Sequence, residues 1–135
     1  MEFTVQRDAH LDPEHVHELR LAVGWPSDPK RQADELEQCY AYFSVTVGGQ
    51  IVGFLNVVSN GVTDALLNNL MVHPDYRRQG IGKALLRTAV DELSGDGLKY
   101  FNLVFEEDLV PFYRRCGFTI QRGGVIDLFA GGKPS

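Results

Sequence analysis

Residues 70–83 read LMVHPDYRRQGIGK, which is an apolar segment, a turn through glycines and the start of a basic helix. The first backbone N–H groups of a helix have no partner within it, and the helix dipole adds partial positive charge there. Glycine at positions 80 and 82 leaves room for a ligand to approach the backbone. Four cations and no acid lie within residues 76–90, namely Arg77, Arg78, Lys83 and Arg87. This order predicts a site for a phosphorylated ligand.

Two common phosphate motifs do not fit this turn. A Walker A loop needs glycine and a serine or threonine where the chain has Arg77 and Ala84. A dinucleotide fingerprint that begins at Gly80 needs glycine or alanine where the chain has Leu85. The turn therefore indicates a different class of phosphate ligand.

The length of 135 residues fits one domain spanning 1–135, with an adequate core. The start of the chain lacks a secretory signal and no apolar run is long enough to cross a bilayer, which predicts a cytoplasmic protein without a membrane partner. Cys39 and Cys116 are isolated, so we expect reduced thiols. His15 and His17 would point to different helix faces, so no metal site is predicted.

The net charge of −5 is unevenly distributed. Residues 1–40 hold nine acids and four bases, whereas residues 41–135 hold nine of each. A nucleic-acid partner is therefore not expected, because such proteins usually carry a basic face. The acidic excess favours a cationic partner such as an amine, or is simply a solvated helix face.

Periodicity and turn residues predict an α/β domain with a mixed, largely antiparallel sheet flanked by helices. The predicted helices begin at Asp12-Pro13 and span 28–38 and 79–94, and Asp108 is expected to cap a short helix that ends at Arg115. The predicted strands lie at Phe3 and Val5, in a hairpin over 42–58, at 65–72 and at 100–105, with a last hairpin from 118–120 and 125–129. The tail, 131–135, is expected to fray.

The pattern Arg77-x-x-Gly80-x-Gly82 between a strand and a long helix resembles the GNAT family of acyl-CoA N-acyltransferases. The segment FYRRCGF, residues 112–118, is similar to the family's C-terminal motif. The resemblance implies that acetyl-CoA binds between the strand at Leu70–Val72 and the strand at 100–105. It assigns coenzyme binding to Leu70, Met71, Val72, Arg77, Arg78, Gln79, Gly80, Ile81, Gly82 and Lys83.

The same resemblance matches Tyr113 to the family's general acid. A leaving thiolate, whose thiol has a pKa of about 8.5, is helped by a proton from a phenol of pKa about 10. An amine acceptor must also lose a proton, and Glu106, directly after the strand at 100–105, is the leading candidate base. Glu107, Asp64 and His73 are the other candidates. A covalent route through Cys116 is disfavoured because nothing nearby in sequence would activate the thiol.

The acceptor is less well defined. Relatives often carry an acid where this chain has Asn60 and Asn69, so recognition of an amine by a carboxylate is not assured there. Trp25 and Tyr42, with Tyr40, line either an acceptor pocket or the core. We predict that the protein transfers acetyl directly to a primary amine of a small molecule. We also predict a homodimer. The alternatives are a non-catalytic acyl-CoA sensor and a protein or peptide N-acetyltransferase.

Overall fold

The computed structural model describes residues 1–129 of the chain. They form two compact units, Met1–Leu103 and a shorter one from Val104 onward. No helix among residues 1–129 has the length and apolarity needed to cross a membrane. The tail that was predicted to fray, 131–135, lies outside the described residues.

The larger unit contains a five-stranded sheet whose strands follow chain order. They are β1 (Gln6–Arg7), β2 (Ala41–Val47), β3 (Gln50–Val58), β4 (Asp64–Val72) and β5 (Tyr100–Asn102). Neighbouring strands from β1 to β4 are antiparallel, whereas β4 and β5 are parallel. The predicted mixed, mostly antiparallel sheet is therefore confirmed, as is the hairpin of β2 and β3.

Three helices of this unit are α1 (Pro13–Ala22), α2 (Pro29–Gln38) and α3 (Ile81–Gly95). The first two begin in the same way, with an aspartate cap followed by proline. Asp12 accepts a hydrogen bond from the Glu14 N–H at 2.9 Å, and Asp28 accepts one from the Lys30 N–H at 3.1 Å. Proline suits the first helical position because its missing N–H would have no partner there. The predicted starts of both helices are confirmed.

The central strand β3 packs helices on both of its faces. A Cβ built on Gly53 would lie 2.6 Å from Ile81 Cγ2, so α3 approaches this face very closely. The next residue along the strand, Phe54, points to the opposite face and packs with Val16 and Leu19 of α1. Because Gly53 is also paired with Val72, the start of α3 is held beside the end of β4.

Two strands differ from the prediction. The first lies at Gln6–Arg7, paired with Phe43 and Ser44, and does not include Phe3 or Val5. Extending it toward Val5 would bring it to the register shift of β2 at Val45/Thr46, where the distorted edge no longer offers regular pairing. The strand predicted over 100–105 ends at Asn102, where its pairing with β4 stops.

The shorter unit contains one α-helix, α4 (Val110–Arg115), which follows a 3₁₀ turn at Glu107–Leu109. Asp108 lies inside that turn and does not cap the helix, so its predicted role was wrong. The last hairpin was also wrong, because residues 118–129 contain no strand. Val125 and Ile126 are 67% and 66% exposed, which shows that β-forming side chains alone do not make a strand without a partner and a face to bury.

Candidate active site

The glycine turn, residues 77–83, joins the end of β4 to α3. Arg78 and Gly80 both have left-handed backbone, with φ of 64° and 81°. Gly80 is the cap residue of α3, and among the described residues no side chain makes a capping hydrogen bond at this helix start. A Cβ on Gly80 would meet nothing within 4 Å, so the protein leaves this approach open. The helix start can therefore offer the N–H groups of Ile81, Gly82 and Lys83 to an anion.

The cations of the glycine turn are solvent-exposed. Within residues 1–129, no carboxylate forms an ion pair with Arg77, Arg78 or Lys83. Exposed guanidinium and ammonium groups without a protein partner can neutralise a ligand that carries several negative charges. This arrangement fits a diphosphate better than a neutral ligand.

The strand before the turn has an open edge. β4 pairs with β5 only from Asp64 to Leu66, so over residues 67–72 the described chain places no strand on that side. An extended ligand can add to such an edge through main-chain hydrogen bonds. The Met71 side chain belongs to the core with Val16 and Leu19, so only its backbone is available to a ligand.

A β-bulge lies at the start of this open edge. Asn56 pairs with Asn68 and Phe54 pairs with Met71, so Asn69 and Leu70 together oppose Leu55. Asn69 has a left-handed backbone, with φ of 56°. Bulges of this kind bend a strand and redirect its backbone groups. The bulge therefore sets the direction in which Leu70–Val72 presents its edge.

The Asn69 side chain is the centre of a polar group that we call the Asn69 cluster, formed by Arg20, Glu35, Asn56 and Asn69. Arg20 Nη1 donates to Asn69 Oδ1 at 3.0 Å, and Asn69 Nδ2 donates to Asn56 Oδ1 at 2.9 Å. A longer bond of 3.5 Å joins Asn69 Nδ2 to Glu35 Oε2. Sequence reasoning noted Asn69 only as a position without an acid, because partners from three distant segments leave no local signal.

Arg20 also contacts the loop between α1 and α2. Its Nε donates to the Pro26 carbonyl at 3.0 Å, and its guanidinium lies 5.4 Å from the centre of the Trp25 ring. Burial lowers the pKa of Arg20, an effect that the nearby Glu35 carboxylate opposes. The predicted acceptor residue Trp25 is thus connected to the bulge through one guanidinium.

The other aromatic candidates for the acceptor pocket make structural hydrogen bonds. Tyr42 donates from its hydroxyl to the Ala9 carbonyl at 2.7 Å, and its ring packs on Phe54. Tyr40 donates to Asp96 at 2.9 Å. The hydroxyl groups of both tyrosines are therefore already engaged within the protein.

The remaining candidate bases of the larger unit lie at the two ends of β4. His73 follows the strand, and its Nδ1 accepts a hydrogen bond from the Asp75 N–H at 3.1 Å. Asp64 begins the strand opposite Tyr100 and is exposed. Because Asp64 begins this nine-residue strand and His73 follows its end, the two side chains lie in different surroundings and do not form one site.

Tyr113 lies in the shorter unit and is only 6% exposed. Its ring contacts Phe105, Phe112 and Phe118, at centroid distances of 4.3, 5.0 and 5.8 Å. Burial raises the pKa of the Tyr113 phenol, and the nearby Cys116 raises it further. The phenol is therefore protonated at neutral pH, the state that a proton donor requires. Glu106 and Glu107 of the same unit are both exposed.

The model of a family described as an acetyltransferase (GNAT) domain matches residues 37–120. This chain belongs to the GNAT acetyltransferase family. Among its GNAT relatives, the [ribosomal protein bS18]-alanine N-acetyltransferase of Escherichia coli is 34% identical over 116 residues, covering 82% of this chain and 78% of that protein. The uncharacterized N-acetyltransferase ycf52 of Pyropia yezoensis is 26% identical, covering 84% of this chain and 68% of its own length.

Solved GNAT structures share the fold. The GNAT protein SP0256 of Streptococcus pneumoniae aligns with a TM-score of 0.76 and 26% identity, covering 92% of this chain and 96% of that one. The aminoglycoside N-acetyltransferase AAC(6')-Iy, solved in complex with CoA, aligns with a TM-score of 0.75 and 16% identity over 92% of each chain. The predicted family, fold and enzyme class are confirmed, and acetyl-CoA is the acyl donor of this N-acetyltransferase.

Proposed function

We propose that this protein transfers acetyl from acetyl-CoA directly to a primary amine of a small molecule. The observation that supports acetyl-CoA as the donor in this proposal is the open edge of β4 leading into the uncapped start of α3. An extended donor with a diphosphate at one end matches both features. The donor supplies an activated acetyl thioester, and the protein supplies its orientation.

The coenzyme is held in two parts. The backbone N–H groups from Gly80 to Lys83 bind the diphosphate, and the side chains of Arg77, Arg78 and Gln79 surround it. The backbone of Leu70, Met71 and Val72 pairs with the extended arm of the coenzyme. Neither part relies on a particular apolar side chain, because main-chain groups make most of the contacts.

The reaction needs three proton transfers. The protonated amine first loses one proton to a base, for which we propose Glu106, and its neutral nitrogen then forms the new bond to the acetyl carbon. The carbon–sulfur bond breaks as the Tyr113 hydroxyl gives its proton to the leaving sulfur, and the excess proton on the new amide nitrogen passes to the Tyr113 oxygen, which restores the phenol. The raised pKa of Tyr113 supports this role, because the phenol stays protonated well above neutral pH.

A peptide or protein N-terminus is the second candidate acceptor. Support for this candidate comes from the [ribosomal protein bS18]-alanine N-acetyltransferase of E. coli, which is 34% identical to this chain. The aminoglycoside enzyme, a structural neighbour with the same fold, favours the small molecule. A homodimer and a cytoplasmic location remain predictions.

Release of free thiol from acetyl-CoA tests the function. The amine panel comprises polyamines, aminoglycosides, free amino acids and an alanine-terminated peptide. We expect turnover with a small amine, whereas turnover only with the peptide would support the second candidate. Binding of acetyl-CoA without turnover of any amine would identify a sensor instead.

Tyr113→Phe tests the acid, because it removes only the hydroxyl. We expect kcat to fall roughly 100-fold, as for loss of a general acid, while Kd for acetyl-CoA stays within about twofold. The wild-type rate should decline on the alkaline side only above the ordinary tyrosine pKa of about 10, because deprotonation removes the donor. Unchanged kcat across the pH range would remove Tyr113 from the mechanism. Glu106→Gln should lower kcat at neutral pH and leave Kd for acetyl-CoA within about twofold, because it removes the proposed base and not the coenzyme site.

A further inference from the structure

Beyond these residues, we propose that Asn69 is a positioning residue, whose side chain fixes the bulge of β4 and, through Arg20, ties it to the loop between α1 and α2. The inference rests on the proposed function, because it concerns the strand edge that would hold the thioester. The role belongs to the side chain of Asn69 as well as to its backbone. It sets the position of Leu70–Val72 without touching the reacting atoms.

The backbone at Asn69 needs outside support. Its φ of 56° lies in the left-handed region, which is unfavourable for most side chains because the Cβ comes too close to the backbone. Asparagine tolerates this region better than other non-glycine residues, yet glycine would do so more easily. A residue chosen only for its backbone would be glycine, so the asparagine amide has a use of its own.

Both the oxygen and the nitrogen of the Asn69 side-chain amide make hydrogen bonds. Its oxygen accepts from the cationic Arg20, and its nitrogen donates to Asn56, which is only 3% exposed. The same nitrogen faces the carboxylate of Glu35. An aspartate here would lose both donations and would place a negative charge beside Glu35. The neutral amide is therefore the group that satisfies α1, α2 and β3 at once.

Arg20 extends this support to the acceptor side. Its Nη1 binds Asn69 while its Nε binds the Pro26 carbonyl, so one planar group holds the bulge and the loop at a set spacing. Lysine has a single ammonium on a flexible stem and cannot reproduce this two-point contact. A small displacement of donor relative to acceptor lowers kcat strongly, because the reacting atoms must be held within about 0.5 Å of their productive positions.

Two variants of Asn69 separate backbone from side chain. Asn69→Gly keeps the left-handed backbone and removes the amide, whereas Asn69→Ala removes the amide and disfavours that backbone. We expect kcat to fall roughly 10- to 100-fold in Asn69→Gly and further in Asn69→Ala. Kd for acetyl-CoA should rise by only about threefold, because the glycine turn still holds the diphosphate while the edge that pairs with the extended arm is displaced. Wild-type kcat in Asn69→Gly would overturn the proposal.

Arg20→Lys should lower kcat and raise KM for the amine, because the loop and the bulge lose their shared contact. The matched control is Arg7→Met. Arg7 is also a partly buried arginine, but its ion pair of 2.7 Å with Asp96 joins β1 to the end of α3. We expect this control to lower the free energy of unfolding and to leave kcat unchanged. If kcat fell in both arginine variants in proportion to their loss of stability, the fall would reflect stability alone. That result would contradict a positioning role.

The amide NMR signals of Leu70, Met71 and Val72 give a readout independent of turnover. We expect them to shift in Asn69→Gly and Arg20→Lys, and to stay at wild-type positions in Arg7→Met. If the wild-type protein acetylates no amine in the panel, the proposed function fails while these signals still decide the positioning role. Unshifted signals in Asn69→Gly would overturn that role even in an active enzyme.

Discussion

The glycine turn and the Asn69 cluster flank the same short segment, Leu70–Val72, yet they are built in opposite ways. Within residues 1–129, the turn has exposed cations that form no ion pair with a carboxylate and helix N–H groups that no side chain caps. In the cluster, the Asn69 amide has a partner at both ends. Groups without a partner are available to a ligand, whereas groups with partners hold the backbone in place. Along this one strand, the groups available to bind the ligand are therefore different from the groups that hold the backbone in place.

Removing the cations of the turn should give the largest effect. Arg77→Gln, Arg78→Gln and Lys83→Gln together should raise Kd for acetyl-CoA roughly 100-fold, because each of these exposed charges should contribute up to about 1 kcal/mol to binding the phosphates. Stability should hardly change, since these exposed side chains form no ion pair with any residue in 1–129. Isothermal titration calorimetry measures the affinity.

Lys30→Gln with Lys99→Gln is the control for charge, because both lysines are exposed elsewhere on the larger unit. It should leave Kd for acetyl-CoA within about twofold. An equal loss of affinity in the control would show that overall charge, rather than the glycine turn, attracts the coenzyme.

Asn56→Ala, in the Asn69 cluster, should show the reverse pattern, a loss of stability with little loss of coenzyme affinity. Asn56 is buried, and its loss leaves the Asn69 amide without its best acceptor. We expect the free energy of unfolding to fall by about 2 kcal/mol, with Kd for acetyl-CoA little changed. Urea denaturation followed by circular dichroism measures the first quantity. If affinity fell as much as stability, the division between binding and positioning would be wrong.

Two glycines with nearly the same backbone allow a sharper comparison. Gly80 and Gly49 have φ of 81° and 80°, and a Cβ on either would meet nothing within 4 Å. Alanine at either position should lower the free energy of unfolding by about 1 kcal/mol, because left-handed backbone disfavours a Cβ. Only Gly80→Ala should weaken acetyl-CoA binding, by roughly tenfold, since only that Cβ faces the ligand. Equal affinities would exclude close approach at Gly80.

The smallest effect is expected at the rim of the Asn69 cluster. Arg31 and Glu35 form an i,i+4 pair with N···O of 3.4 Å, and the Arg31 side chain is half exposed. Arg31→Gln should change the free energy of unfolding by less than about 0.5 kcal/mol. The measured kcat should stay near wild type. A large loss of kcat would show that Arg31 supports the Asn69 cluster more strongly than its half-exposed position indicates.

Several features followed from local sequence because their causes are local. The aspartate-proline starts of α1 and α2 and the glycine turn each need only neighbouring residues. The last hairpin failed for the complementary reason. Strand-forming side chains are present at 118–120 and 125–129, but a strand also needs a partner strand with which to pair. No strand forms within residues 118–129.

The sequence by itself determined the class of ligand, because a strand, a glycine turn and the start of a basic helix are consecutive in the chain and their N–H groups are oriented by local geometry. Tertiary structure alone decided the bulge at Asn69 and its partners. Arg20, Asn56 and Asn69 are up to 49 residues apart, and their hydrogen bonds exist only after β3 has paired with β4 and α1 has packed on the sheet. Hydrogen bonds between distant side chains depend on the final packing, which no local pattern records.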